Sequence, residues 1–318
     1  MYPLWDKTSM ITTELTTSLR QDSISLLFRG NMLIINNLPQ WMLANRIMIC
    51  VSDFALKEFH KEVYSVKLPF SITLNIPNGH YYLQLYYESR KGSNYYLAIN
   101  CTEGFTIVVE KSIVSFVVPV TLTGNKAFFL NLKNDFAAKI FYRQNTSNYQ
   151  SNLPEIKSLA EKITKYKTGN YNKILAIHDW VAENLYYDKD ALKSGKYRYE
   201  KYDVMSMLHN KRTVCRGYSK MAVTLLRAID IPAIDVECFA LGETSDGGWD
   251  CNNNLSAEAN HVITFALANN RWIIMDPTWD SVNEYRNGEY VEKSEGGARH
   301  NYYDATLAFF SYTHRFIK

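Results

Sequence analysis

The hydrophobic pattern changes period once along the chain. Up to about residue 145 the apolar positions fall in short β-branched or aromatic runs, at 32–35, 46–51, 70–76, 81–87, 95–99, 105–109 and 113–118. Turn chemistry separates them at Pro77-Asn78-Gly79 and Lys91-Gly92-Ser93. Several short strands at such spacing predict a small all-β sandwich domain over 1–145. The polar stretch 143–148 reads as a linker, and Pro154 suits a first helical turn. Beyond it, 155–166 and 171–185 carry apolar residues at helical spacing, with Ile174, Ile177, Val181 and Leu185 as the buried stripe of the second. A short helix is expected from the cap-like Asp203 through Met207, and a strand over 234–241. Residues 146–318 therefore predict a second domain, and the whole chain an α+β protein. The long polar loop 242–260 is expected to border a cleft.

This second domain is organised around Thr213-Val214-Cys215-Arg216-Gly217-Tyr218-Ser219. Met221, Leu225 and Ile229, with Ala222 and Leu226 alongside, repeat at helical spacing, so Cys215 falls near a helix N-terminus. Unpaired N–H groups and the helix dipole favour a thiolate there, and a neighbouring imidazolium favours it further. Gly217 allows backbone or substrate to approach closely just after the sulfur. The stretches 261–267 and 272–276 read as strands joined by a turn at Ala268-Asn269-Asn270-Arg271. With a loop of two or four residues, Leu267 opposes Trp272 and Asp276 faces Ile263. His261 and Asp276 then share a face as diagonal neighbours, roughly 7–8 Å apart at Cα. A three-residue loop reverses the parity. The sequence thus allows His261 to take the thiol proton while Asp276 fixes the imidazole tautomer.

These stretches resemble the transglutaminase-like superfamily, whose fold is related to papain-like cysteine proteases. The resemblance rests on Val214-Cys215-Arg216-Gly217-Tyr218-Ser219, Asn260-His261-Val262, and Arg271-Trp272 followed by Met275-Asp276-Pro277-Thr278-Trp279-Asp280. Upstream, Ile177-His178-Asp179-Trp180 through Tyr186-Tyr187-Asp188 is similar to the helix and Tyr-Asp pair of bacterial members, and the tail from Leu307 to Arg315 to their usual ending. About the C-terminal half is covered. Many members follow the histidine with an Ala-Trp-Asn type run where Val262-Ile263-Thr264-Phe265 stands here, a departure that bears on substrate subclass. The resemblance implies acyl transfer on a peptide or carboxamide through a thioester on Cys215. Water as acceptor gives a peptidase or amidase, the expected outcome; a lysine or polyamine gives a crosslinking transglutaminase. Oxyanion or substrate contacts are expected from Tyr187, with Asn184, Trp180 and Gly217 as further candidates. The rival from another class is a non-catalytic protein- or glycan-binding module with a degenerate cleft.

Composition narrows the partners. A hydrophobic fraction of 47% and a charged fraction of 21% over 318 residues are those of a globular protein. The net charge of +3, from 35 basic and 32 acidic residues without a basic block, gives no case for nucleic acid. No apolar run is long enough to span a bilayer and none near the start suits a signal peptide, so a complete chain is expected in the cytoplasm and a trimmed one outside the cell or at its surface. Tyr81, Tyr82, Tyr86, Tyr87, Tyr95 and Tyr96 could form a platform for a glycan or protein ligand, though tyrosine also simply suits half-buried strands, the preferred reading. The five cysteines, odd in number and widely spaced, suggest thiols. Cys238 and Cys251 lack ligand-spaced partners, no EF-hand spacing occurs, and the adjacent His178 and Asp179 point apart on a helix as structural residues, so no metal or cofactor is expected. Asp280 reads as a supporting or turn residue.

Overall fold

The computed structural model describes residues 11–317 except 20–21, 39–41, 43–45, 54, 56, 99–104, 118–120, 135–139, 197–202, 242–258, 293–296 and 306. In chain order the strands are β1 (Ile11–Thr12), β2 (Glu14–Leu19), β3 (Asp22–Arg29), β4 (Met32–Asn37), β5 (Ile47–Ser52), β6 (Glu58–Tyr64), β7 (Phe70–Thr73), β8 (Gly79–Glu88), β9 (Tyr96–Ala98), β10 (Phe105–Glu110) and β11 (Ile113–Val117). There follow α1 (Leu122–Asn134), α2 (Pro154–Thr164), α3 (Gly169–Asn184), β12 (Tyr186–Asp188), α4 (Lys189–Ser194), α5 (Val204–Asn210), β13 (Arg212–Thr213), α6 (Cys215–Ala228) and β14 (Ala233–Ala240). The rest are β15 (His261–Ala268), β16 (Arg271–Met275), α7 (Pro277–Asp280), β17 (Glu284–Arg286), β18 (Glu289–Val291), α8 (Leu307–Thr313) and β19 (His314–Phe316). They fall in two compact units, one of Met1–Asn125, Ala240–Ala257 and Ala305–Arg315, the other of Lys126–Phe239, Glu258–Asp304 and Phe316–Lys318. The architecture is mixed α+β.

The first unit holds two antiparallel sheets, β1-β11-β10-β8-β5-β6 with β9 on β8, and β2-β3-β4-β7. Their inner faces are apolar: Phe28 of β3 meets Phe116 of β11 with ring centroids 4.7 Å apart, and Leu33, Ile35, Ile49 and Leu85 are fully buried around them. All seven expected strands are present. The pattern missed β2 and β6, because β6 (EFHKEVY) is mostly polar and lies at a sheet edge with one exposed side. It also missed α1, in a stretch expected to be all-β, where Phe128, Phe129 and Leu132 keep a helical spacing that Gly124 and the asparagines obscure. The tyrosines do not gather into one platform: Tyr81 and Tyr82 are successive strand residues, point to opposite faces and are both buried. A groove of about 430 Å³ lies between the edge strands β6 and β7, lined by Phe59, His60, Glu62, Tyr64, Ile72 and Thr73.

In the second unit α2, α3 and α6 pack about one core, in which Ile156, Ile174, Ile177, Val181, Met221 and Leu225 are solvent-free. The β15–β16 hairpin closes that core with Ala266, Ile273 and Met275. Its loop is Asn269-Asn270, both at positive φ (51° and 62°), which matches the twist of a two-residue hairpin turn. Leu267 therefore opposes Trp272 and Thr264 opposes Met275, the expected register. A small sheet, β13-β12-β17-β18, flanks the helices. Among the described residues no helix is long and apolar enough to cross a membrane.

Candidate active site

Cys215 opens α6 after an extended Val214, so its half-buried side chain stands on the first turn. The helix must come very close to β13 here. A Cβ on Gly217 would overlap Thr213 Oγ1 and fall 2.7 Å from Met207 Sδ, so the close approach expected at this glycine is to the protein's own chain rather than to substrate. On the next face of α6, Ser219 Oγ donates to Ile263 O (2.9 Å) and lies 2.7 Å from Thr264 Oγ1. That buried pair fastens the cysteine's helix to the strand that begins at His261.

His261 and Asp276 meet as the register requires, with Nε2 to Oδ2 at 2.7 Å. Asp276 also caps α7: its Oδ1 accepts from Thr278 N (3.0 Å) and Trp279 N (3.2 Å), and its own N–H donates to Tyr302 O (3.0 Å). With both oxygens engaged and no exposure, the carboxylate is fixed in place. Nε2 being taken, Nδ1 is the ring nitrogen left for Cys215, whose side chain hydrogen-bonds the imidazole. Burial pushes the Cys215 thiol up, but the His261 charge, the hydrogen bond to it and the Val262 N–H together hold the thiol below its ordinary range. Burial alone pulls His261 down, while the Asp276 and Cys215 charges and hydrogen bonds lift it to about 10. Cys238, directly opposite His261 on β14, is the contrast: desolvation raises its thiol well above the usual value.

The family described as Transglutaminase-like superfamily matches residues 157–277. Residues 157–277 form a transglutaminase-like domain. The Bacillus subtilis protein YebA, itself uncharacterised, is 25% identical over 175 residues, 50% of this chain and 23% of that one. Kyphoscoliosis peptidase of Mus musculus is 21% identical over 126 residues, 40% of this chain and 18% of the mouse protein. The chain thus spans less than a quarter of the length of these relatives. Two solved structures with provisional protease assignments are also similar. The one from Cytophaga hutchinsonii is 17% identical with a TM-score of 0.34 and 74% of each chain covered; the one from Parabacteroides distasonis is 11% identical with a TM-score of 0.28, covering 89% of this chain and 71% of that one.

Within the transglutaminase-like domain the remaining candidates are placed as follows. Tyr187 lies on β12, opposite Thr213 and half-buried against the core. Asn184 turns back on its own helix, its Nδ2 donating to Trp180 O (2.9 Å), and Trp180 packs on the core. Most of the 242–260 loop and the residues Cys101 and Cys251 lie outside the described residues. Sequence reasoning missed the role of Trp279, whose ring stacks at 5.5 Å from His261 and at 5.0 Å from Tyr302, walling one side of the imidazole. A tryptophan three residues after the cap Asp276 was the available signal.

His178 and Asp179 depart from expectation. They are adjacent on α3, yet the Asp179 side chain folds back so that Oδ1 lies 3.0 Å from His178 Nδ1 and 2.6 Å from His300 Nε2. The other His178 nitrogen, Nε2, lies 3.1 Å from Asp280 Oδ2, and Asp280 accepts Tyr302 N on both oxygens at 3.1 Å. Desolvation opposes the His178 charge, but bonds to the two carboxylates raise it to about 9; desolvation lifts Asp280 to about 6 against the pull of His178.

Proposed function

We propose that the transglutaminase-like domain is a thiol enzyme of acyl transfer, with Cys215 as nucleophile, His261 as proton carrier and Asp276 as the group that orients it. The observation that carries this is the row Cys215–His261–Asp276, in which a helix-start thiol held low shares a hydrogen bond with an imidazole held up to about 10. The Cys215 sulfur gives its proton to His261 Nδ1 and attacks a carbonyl carbon. The C–N bond then breaks, His261 protonates the departing amine or ammonia, and a thioester remains. Water, deprotonated by His261, splits the thioester to a carboxylic acid and regenerates the thiol. Hydrolysis is the favoured outcome, in keeping with the mouse relative named a peptidase. We assign the oxyanion to the Cys215 N–H with Tyr187 as second donor.

The test is alkylation of the intact protein by iodoacetamide, read by mass spectrometry across pH. Cys215 is expected to label fast at mildly acidic pH, with Cys50 and Cys238 slow, and His261→Ala is expected to abolish the difference. Slow labelling indifferent to His261 would remove the ion pair and the function with it. Among substrates, cleavage of peptides without incorporation of a fluorescent amine into a glutamine protein supports hydrolysis; incorporation overturns it.

A further inference from the structure

Away from Cys215, the second unit gathers two imidazoles and a carboxylate at one point. His178 Nδ1, Asp179 Oδ1 and His300 Nε2 all lie within 4.8 Å of one another. We propose that these three atoms bind one divalent transition-metal ion, with Zn²⁺ the best chemical match.

The donor set is the first argument. Two imidazole nitrogens with one carboxylate oxygen is the composition of three-ligand zinc sites that keep a further position for water. Ligand atoms about 2.0–2.2 Å from a tetrahedral ion stand roughly 3.3 Å apart. The Asp179 contacts of 3.0 and 2.6 Å therefore need to open by only a few tenths of an ångström. The second argument is the outer contact. A ligating histidine ordinarily donates its far N–H to a carboxylate, which fixes the tautomer and raises the basicity of the near nitrogen. Asp280 stands in that position on His178 Nε2, is itself fully buried, and is aimed by two contacts from Tyr302 N. The third is access: the Asp179 side chain is 32% exposed and that of His300 15%, while His178 is closed off.

Binding requires no redox step. Where His178 now presents Nδ1–H to Asp179, the ion takes the place of that proton, which leaves to solvent. His300 coordinates through Nε2 and keeps its remaining proton on Nδ1. The ion would clasp α3 to the segment carrying His300. Through Asp280 it would also brace α7, whose opposite end is Asp276, so it would stiffen the site at Cys215 without touching the sulfur.

The experiment titrates the full chain carrying Cys215→Ala, which removes the competing thiol, with Co²⁺ and then Zn²⁺. One equivalent of Co²⁺ is expected to bind with a visible d–d absorption typical of nitrogen and oxygen ligands, to be displaced by Zn²⁺, and to raise the melting temperature. His300→Ala and Asp179→Asn, both at solvent-reachable side chains and checked for fold by circular dichroism, are each expected to weaken binding at least tenfold. His261→Ala is expected to leave it unchanged. Binding that is absent, or that persists in both His300→Ala and Asp179→Asn, or that disappears with His261 instead, overturns the proposal.

Discussion

Two histidine–aspartate pairs hang from one four-residue helix. Asp276 caps the start of α7 and holds His261; Asp280 ends it and holds His178. Both imidazoles are buried, both are lifted above their ordinary value, to about 10 and about 9, and both keep Nε2 on the aspartate. The pairs differ only in what meets the other ring nitrogen. His261 faces a thiol that gains from giving up its proton; His178 faces the second carboxylate, Asp179, and has nothing to activate. A buried His–Asp pair is thus no signature of catalysis by itself. The third partner decides whether the imidazole moves a proton or merely holds one.

Three substitutions or titrations separate the pairs. The largest effect is expected from Asp276→Asn, which keeps the shape but favours the wrong tautomer; Cys215 alkylation at mildly acidic pH should slow by ~10²-fold or more, with turnover falling further. Labelling within a few-fold of the unchanged protein would make this pair as passive as the other. Asp280→Asn should act on stability instead. Leaving His178 with a single partner in a buried place costs about 3 kcal/mol by denaturant unfolding, while alkylation of Cys215 in the folded variant stays within a few-fold. The smallest effect is on pH dependence. His178 is raised from 6.5 to about 9 in the fold, so its contribution is complete below about pH 6.5 and drains away as pH rises through 9. The groups facing it are Asp179, Asp280, His300 and Tyr303. Melting temperatures of the metal-free protein should decline across that window, and His178→Gln should flatten the decline; an equal slope in the variant would assign it elsewhere.

What is legible in the sequence follows the range of the forces involved. Hairpin register is local: two asparagines in a tight turn fix parity, so the pairing of His261 with Asp276 follows from residue spacing alone. The strands of the sandwich are legible where β-branched and aromatic residues alternate, and illegible at β6, where an edge tolerates polar residues on both faces. His178–Asp280 joins positions 102 residues apart through helix packing, and no local pattern announces such a contact. Asp179 escapes the local rule for a different reason. Adjacent helical side chains diverge at Cβ, but a short carboxylate can fold back when two imidazoles draw it. Gly217 does mark a close approach, as its place after the cysteine suggests, but the neighbour is Thr213.

The polarity of β6 has a colloidal consequence. Among the described residues this strand is bonded on one side only, and such an edge offers its outer amides and carbonyls to any other extended chain, including the same strand of a second molecule. Glu58, Lys61 and Glu62 crowd that row with charge, so two copies laid edge to edge in antiparallel or parallel alignment set like charges near one another. The residues that make β6 hard to recognise as a strand are those that keep the folded protein from polymerising through it.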